Sequence, residues 1–180
     1  MPFINSFANS VLDVAFGKTT SISAKSTVYM ALGNVPVDGD KNPVFNTEAT
    51  ALGFTELPNT TDGEKNGYAR VMVSRRISSG NSTIVDPAFP HIGSAENRGI
   101  QNDYQINWTK AIKDWPRANA MALCTSPDVG ETSSIYFVGG LDLTPADKSA
   151  GGLLVEAGAV ALFDPATFRI EFPAEDVAAT

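Results

Sequence analysis

Thr27-Val28-Tyr29-Met30-Ala31-Leu32 decides how the rest of the chain is read. Val28, Met30 and Leu32 fall on one side of an extended backbone, the two-residue period of a strand that buries one face. The period returns in Tyr68-Ala69-Arg70-Val71-Met72-Val73, where Ala69, Val71 and Val73 are expected inward and Arg70 outward. It is clearest in Phe168-Arg169-Ile170-Glu171-Phe172, three apolar residues alternating with two charged ones. Residues 105–109, 120–124, 134–138, 153–155 and 160–163 read as further strands. Asp164-Pro165-Ala166-Thr167 is expected to turn the final two strands into a hairpin, since proline presets one φ angle of a tight turn.

Upstream the period changes. Ile4, Phe7, Ala8, Val11, Val14 and Ala15 recur at spacings of three and four, so residues 4–16 read as a helix. Asn5 or Ser6 can cap its start, and Gly17 stands where a helix stops. Its wide apolar stripe is expected to pack on the domain's own sheet, with docking on a neighbouring subunit as the alternative. The expected fold is mainly β: an antiparallel β-sandwich or barrel with one N-terminal α-helix and two long loop regions, in a single domain over residues 1–180.

Those two regions, residues 33–66 and 75–103, are rich in Gly, Pro, Asn, Asp, Ser and Thr. Loops longer than about 12–15 residues are usually functional or disordered. Phe45, Phe54, Phe89 and Ile92 place apolar side chains in them, so they read as arms that contact partners, small unrecognised elements being the alternative. With Phe7 and Val11 of the helix, these residues form the candidate interface.

The length of 180 residues suits one domain. Thirteen basic against 20 acidic residues give a net charge of −7, which repels phosphate backbones, so no nucleic-acid partner is expected. A lone cysteine, Cys124, cannot form an internal disulfide, and a lone histidine, His91, removes most zinc and triad chemistry. No basic residue precedes Lys18, so the charged start of a secretory signal is missing. The longest mostly apolar run, residues 151–163, contains Glu156 and falls short of the ~20 residues that span a bilayer. A soluble protein made in a reducing compartment, with no membrane partner, is expected.

Catalytic signatures are missing too: no nucleophile elbow, P-loop, dinucleotide fingerprint, zinc-protease helix or Cys-x-x-Cys pair occurs. Asp38-Gly39-Asp40-Lys41-Asn42 opens like a calcium loop, but Pro43 stands where glycine is required and Ala49 where the bidentate glutamate belongs, so it reads as an acidic turn. Asp142 and Asp147 flank Thr144-Pro145 in what reads as a solvated loop. His91 follows Pro90 in a loop with no serine and carboxylate that the sequence singles out. Trp108 alternates with Ile106, and Trp115 precedes Pro116, so both read as core or interface anchors rather than sugar-stacking platforms. Cys124 sits in an apolar run and reads as a buried, inert thiol. No catalytic, cofactor-binding or metal-ligating residue is expected, and no enzyme.

Several short motifs follow one another in a telling order. Val11-Leu12-Asp13-Val14-Ala15-Phe16-Gly17 closes the helix, Val28-Tyr29-Met30-Ala31-Leu32 gives the first strand, and Gly67-Tyr68-Ala69-Arg70-Val71 follows. Ile106-Asn107-Trp108, Asp114-Trp115-Pro116, Met121-Ala122-Leu123-Cys124 and Ala157-Gly158-Ala159-Val160-Ala161-Leu162 come after. In this order the chain resembles a group of small bacteriophage virion structural proteins commonly labelled phage tail-fibre-like proteins, with Gly67 to Val71 the most specific match. The resemblance spans about residues 5–172, with 75–103 as an apparent insertion. It implies a virion protein, made in the bacterial host cytoplasm, whose partners are other virion proteins such as the major capsid or tail proteins. It brings no catalytic residues.

A fibre shaft covers distance by repetition, and this chain has neither heptads nor stacked repeats. The resemblance therefore implies a compact accessory subunit: a capsid decoration or cement protein, or a small tail component. A cyclic homo-oligomer is expected, with threefold symmetry favoured. The alternative is a tail-tip carbohydrate-binding receptor module built on Trp108 and Trp115.

Overall fold

The computed structural model describes residues 16, 27–46, 49–79, 82–85 and 99–171. Its strands are β1 (Thr27–Asn34), β2 (Thr55–Glu56), β3 (Thr60–Thr61), β4 (Glu64–Lys65), β5 (Val71–Ser79), β6 (Ser82–Val85) and β7 (Gly99–Gln101). There follow β8 (Ile106–Asn107), β9 (Trp115–Ala118), β10 (Ala120–Cys124), β11 (Ile135–Gly140), β12 (Leu153–Val155), β13 (Leu162–Phe163) and β14 (Arg169–Glu171), with a short helix α1 (Pro145–Ser149) between β11 and β12. The fold is mainly β and its pairings are antiparallel. The expected helix over 4–16 lies outside the described residues except for Phe16, which sits exposed in a turn.

β1 is the centre of the main sheet, whose order is β11-β10-β1-β5-β6, with β2 continuing the β5 side of β1. The opening hexapeptide therefore lies between two neighbours, and it buries both faces rather than one. Met30 and Leu32 enter the larger core, with Val28 packed against it, while Ala31 enters a second core on the other side. β10 divides in the same way: Met121 and Leu123 face the larger core, and Ala120, Ala122 and Cys124 the second. Apart from Tyr29, which packs at the edge of the second core, the alternation thus separates large from small side chains, not apolar from polar. The small-residue face is a shallow trough against which another segment can pack closely.

Val35, Phe45 and residues 51–54 fill that trough, contrary to the reading of 33–66 as a partner-seeking arm. Val35, Ala51, Leu52 and Phe54 are buried in the second core, and Phe45 packs against its edge. Gly33 makes this approach possible, since a Cβ there would strike the Thr55 carbonyl and lie 2.5 Å from the Phe54 ring. Ala51 and Leu52 hold left-handed backbone at φ 51° and 57°. That conformation costs roughly 1–2 kcal/mol per L-residue, and burying a leucine side chain offsets it by about 1.5–3 kcal/mol. Asn119 locks the segment down: its side chain accepts from the Val35 N–H at 2.8 Å and donates to the Val35 carbonyl at 2.9 Å, as a paired strand would.

The other supposed loop is partly strand as well. β5 runs on to Ser79 and pairs with β6, and β7 pairs with β14. Phe89, His91 and Ile92 lie outside the described residues, as do Phe7 and Val11. The inward set expected from residues 68–73 is also revised, because Ala69 is exposed while Tyr68 and Arg70 are buried. Gly67 causes the change by turning the chain at φ +86° just before the ladder begins, with the Lys110 carbonyl 2.9 Å from where a Cβ would stand.

Three ribbons cover the larger core: β8 with β13, β9 with β12, and β7 with β14. The turn at residues 164–167 forms, with the Thr167 N–H donating to the Asp164 carbonyl at 3.1 Å, but it joins no hairpin because β13 and β14 pair with different strands. Asn102 explains the outcome. Its buried amide donates to the Asp164 carbonyl at 2.8 Å and accepts from the Phe168 N–H at 2.9 Å, taking up groups that a hairpin ladder would use.

Candidate functional site

A cleft of about 610 Å³ opens where the larger-core face of β1, β10 and β11 meets β12, β13 and α1. Its floor is the core itself: Leu32, Trp108, Met121, Phe137, Ala161 and Phe168 are buried side chains that line it. Leu153 and Leu162 form an apolar lip at 36% and 47% exposure. Both sit on short strands anchored by a buried neighbour, Val155 at the end of β12 and Ala161 just before β13.

Three carboxylates line the same cleft. Asp147 is fixed by α1, where the Thr144 hydroxyl accepts from the Asp147 N–H at 3.2 Å and donates to the Asp147 carboxylate at 2.7 Å. Pro145 begins the helix, so residues 144–147 make a reciprocal cap and not the solvated loop expected there. Asp164 accepts from the Gln105 side-chain amide at 2.8 Å. Asp142 is exposed and makes no hydrogen bond or ion pair among the described residues. None of the three is paired with a cation there, and Arg169 is the one basic residue among the described lining residues.

The tryptophans differ in one respect. Trp115 donates its indole N–H to the Asn66 carbonyl at 3.0 Å and meets Tyr68 edge to face at 5.3 Å. Trp108 packs edgewise on Phe163 at 5.8 Å, but its buried indole N–H has no acceptor among the described residues. At 4% and 1% exposure, Trp108 and Trp115 are core residues as expected, and neither offers a face for a sugar ring.

Of the candidate interface residues that are described, Phe54 is buried in its own chain, which corrects its expected availability to a partner, and Phe45 is half-buried. Neither lines the cleft. The residues that do, Leu153, Leu162, Asp142, Asp147 and Asp164, were not singled out as a site by the sequence, because they converge only through pairing of distant strands. The capping pattern Thr144-Pro145-Ala146-Asp147 was a visible signal for one part of it.

Reactive chemistry is missing from this arrangement of described residues. Burial pushes the Cys124 thiol up to about 12, and the residue belongs to the second core, away from the cleft. Asp38 closes the acidic turn by accepting from the N–H groups of Asn42 at 2.8 Å and Asp40 at 2.9 Å, and the Asn42 hydrogen bond holds its carboxyl below the ordinary value. Among the described residues no cluster of three or more His, Cys, Asp or Glu side chains could hold a metal ion. Comparison of the chain with protein-family models and with curated proteins returns no match.

Proposed function

We propose that this chain is a bacteriophage virion structural protein, a compact accessory subunit that docks on the particle surface as a capsid decoration or cement protein or as a small tail component. The observation that carries the reading is where the resembling motifs fall in the fold. Gly67-Tyr68-Ala69-Arg70-Val71 supplies a left-handed turn, a buried hydroxyl and a buried ion pair. The other matching stretches supply β1, β10 and the two core tryptophans. A resemblance held in frame residues fits a relationship of scaffold and assembly rather than one of shared catalysis.

The layered arrangement, one sheet covered on both faces, is read as a sandwich carrying a helix over residues 4–16 that packs on the domain's own sheet, with docking on a neighbouring subunit as the alternative. The assembly is read as a homo-oligomer with threefold symmetry favoured. Ile112, Leu154, Val160 and Leu162 supply exposed apolar surface for further contacts. Each such contact needs roughly 800 Å² per partner. The alternative receptor module loses its motivating residues with the burial of Trp108 and Trp115. The test is antibody labelling of intact particles combined with the mass of the purified chain in solution. Labelled particles and a trimeric mass are expected, and a monomer that antibodies fail to find on particles would end the reading.

A further inference from the structure

We infer that the cleft between α1 and the β8–β13 ribbon is a docking site for one apolar side chain flanked by lysine or arginine, presented by a segment of a partner protein. That the partner is another virion component rests on the proposed function; the chemistry of the cleft does not. At about 610 Å³ the cleft has the size of pockets that enclose a ligand. Its floor is apolar, and Leu153 and Leu162 extend that surface outward to a lip that water now wets. An apolar side chain seated there would remove both from solvent.

Charge selects the flanking residues. Asp142, Asp147 and Asp164 stand around the apolar floor without a cationic partner among the described residues, against the one arginine, Arg169, on the lining. A segment carrying a cation on either side of its anchor meets those carboxylates, whereas an acidic segment is repelled. The same reasoning disfavours a second copy of this chain, whose net charge is −7. The Trp108 ring forms part of that floor, and its indole N–H has no acceptor among the described residues, so its resonance reports on the site.

The two tryptophan indoles provide the readout, since each gives its own ¹⁵N–¹H resonance. Labelled full-length chain is titrated with the capped peptides Ser-Lys-Phe-Lys-Ser, Ser-Glu-Phe-Glu-Ser and Ser-Lys-Ala-Lys-Ser, and separately with a maltooligosaccharide. The lysine-flanked phenylalanine peptide is expected to move the Trp108 resonance and leave that of Trp115, already bonded to Asn66, in place. Asp142→Asn and Asp164→Asn should each weaken that binding by roughly twofold to fivefold, as for exposed ion pairs. An unmoved Trp115 resonance reports that each variant remains folded. Equal response to the glutamate-flanked peptide, response to the sugar alone, or no response at Trp108 overturns the assignment. A chain found on particles that ignores the lysine peptide loses the cleft and keeps the virion reading; binding without particle association does the reverse.

Discussion

The Arg70 guanidinium grips the Glu56 carboxylate with two hydrogen bonds, Nη2 to Oε2 at 2.7 Å and Nε to Oε1 at 2.9 Å, with both side chains shut away from solvent. Arg70 also donates to the Ser126 and Glu131 carbonyls and to the Ser134 hydroxyl, and Glu56 accepts from the Gly130 N–H. One buried pair therefore ties β2, the start of β5 and the loop before β11 together. Burial is the largest influence and opposes the Arg70 charge, but the Glu56 hydrogen bonds and the charge interactions around the guanidinium together outweigh it and hold its pKa above the ordinary value.

Removing one member of a buried pair strands the other. Arg70→Ala is expected to lose about 3–5 kcal/mol of unfolding free energy in urea. Arg70→Met combined with Glu56→Leu should recover part of that loss, because no charge is left behind. A single variant within about 0.5 kcal/mol of wild type, the usual range for an ordinary surface change, would contradict this role.

Tyr68 repairs a gap in the sheet. Its hydroxyl accepts from the Leu32 N–H at 2.9 Å, at the point where the partner of β1 changes from β5 to β2, and lies 3.0 Å from Glu56 Oε1. Tyr68→Phe leaves that buried N–H unpaired and should cost about 1–3 kcal/mol. Amide exchange at Leu32 should accelerate beyond what the global loss explains.

Phe54 separates a core residue from a partner contact. At 4% exposure, packed over Gly33, its truncation to alanine is expected to cost about 3–5 kcal/mol in the isolated chain. If Phe54→Ala instead left unfolding unchanged while weakening association, the 35–54 segment would have to be an arm after all.

Cys124 is a built-in probe of opening. Burial raises its pKa from 9.0 to about 12, so the folded chain favours the neutral thiol. The stabilisation this provides is complete below pH 9.0 and declines as the pH rises toward about 12. At pH 8 an aromatic disulfide reagent should label native chain only as fast as it unfolds, and denatured chain at once. Rapid labelling under native conditions would place the thiol at the surface.

The frame was legible where side-chain period and strand coincide. β10 and β12 keep their expected bounds, and β1 extends only two residues beyond the quoted hexapeptide. What the period could not reveal is a second buried face: Ala31, Gly33, Ala120 and Ala122 look neutral in sequence, and their smallness acquires meaning only when Phe54 and Leu52 lie on them. Ala69 misled for a similar reason, since Gly67 resets the backbone before the ladder starts. The polar residues that organise the turns, Asn66, Asn102 and Asn119, read as loop composition, yet each is buried and replaces backbone partners. The cleft was illegible because Asp142, Leu153 and Leu162 lie on separate segments, and only the β8–β13 and β9–β12 pairings bring them around one floor.

Cryo-electron microscopy of purified phage particles from cells in which this chain is produced tests the proposed virion reading most directly. The account predicts repeated density on the capsid or tail surface that accepts the six-stranded sheet with its covering ribbons, one copy per symmetry-related position. Particles whose entire density is explained by other chains, with this protein left in the lysate supernatant, would contradict it.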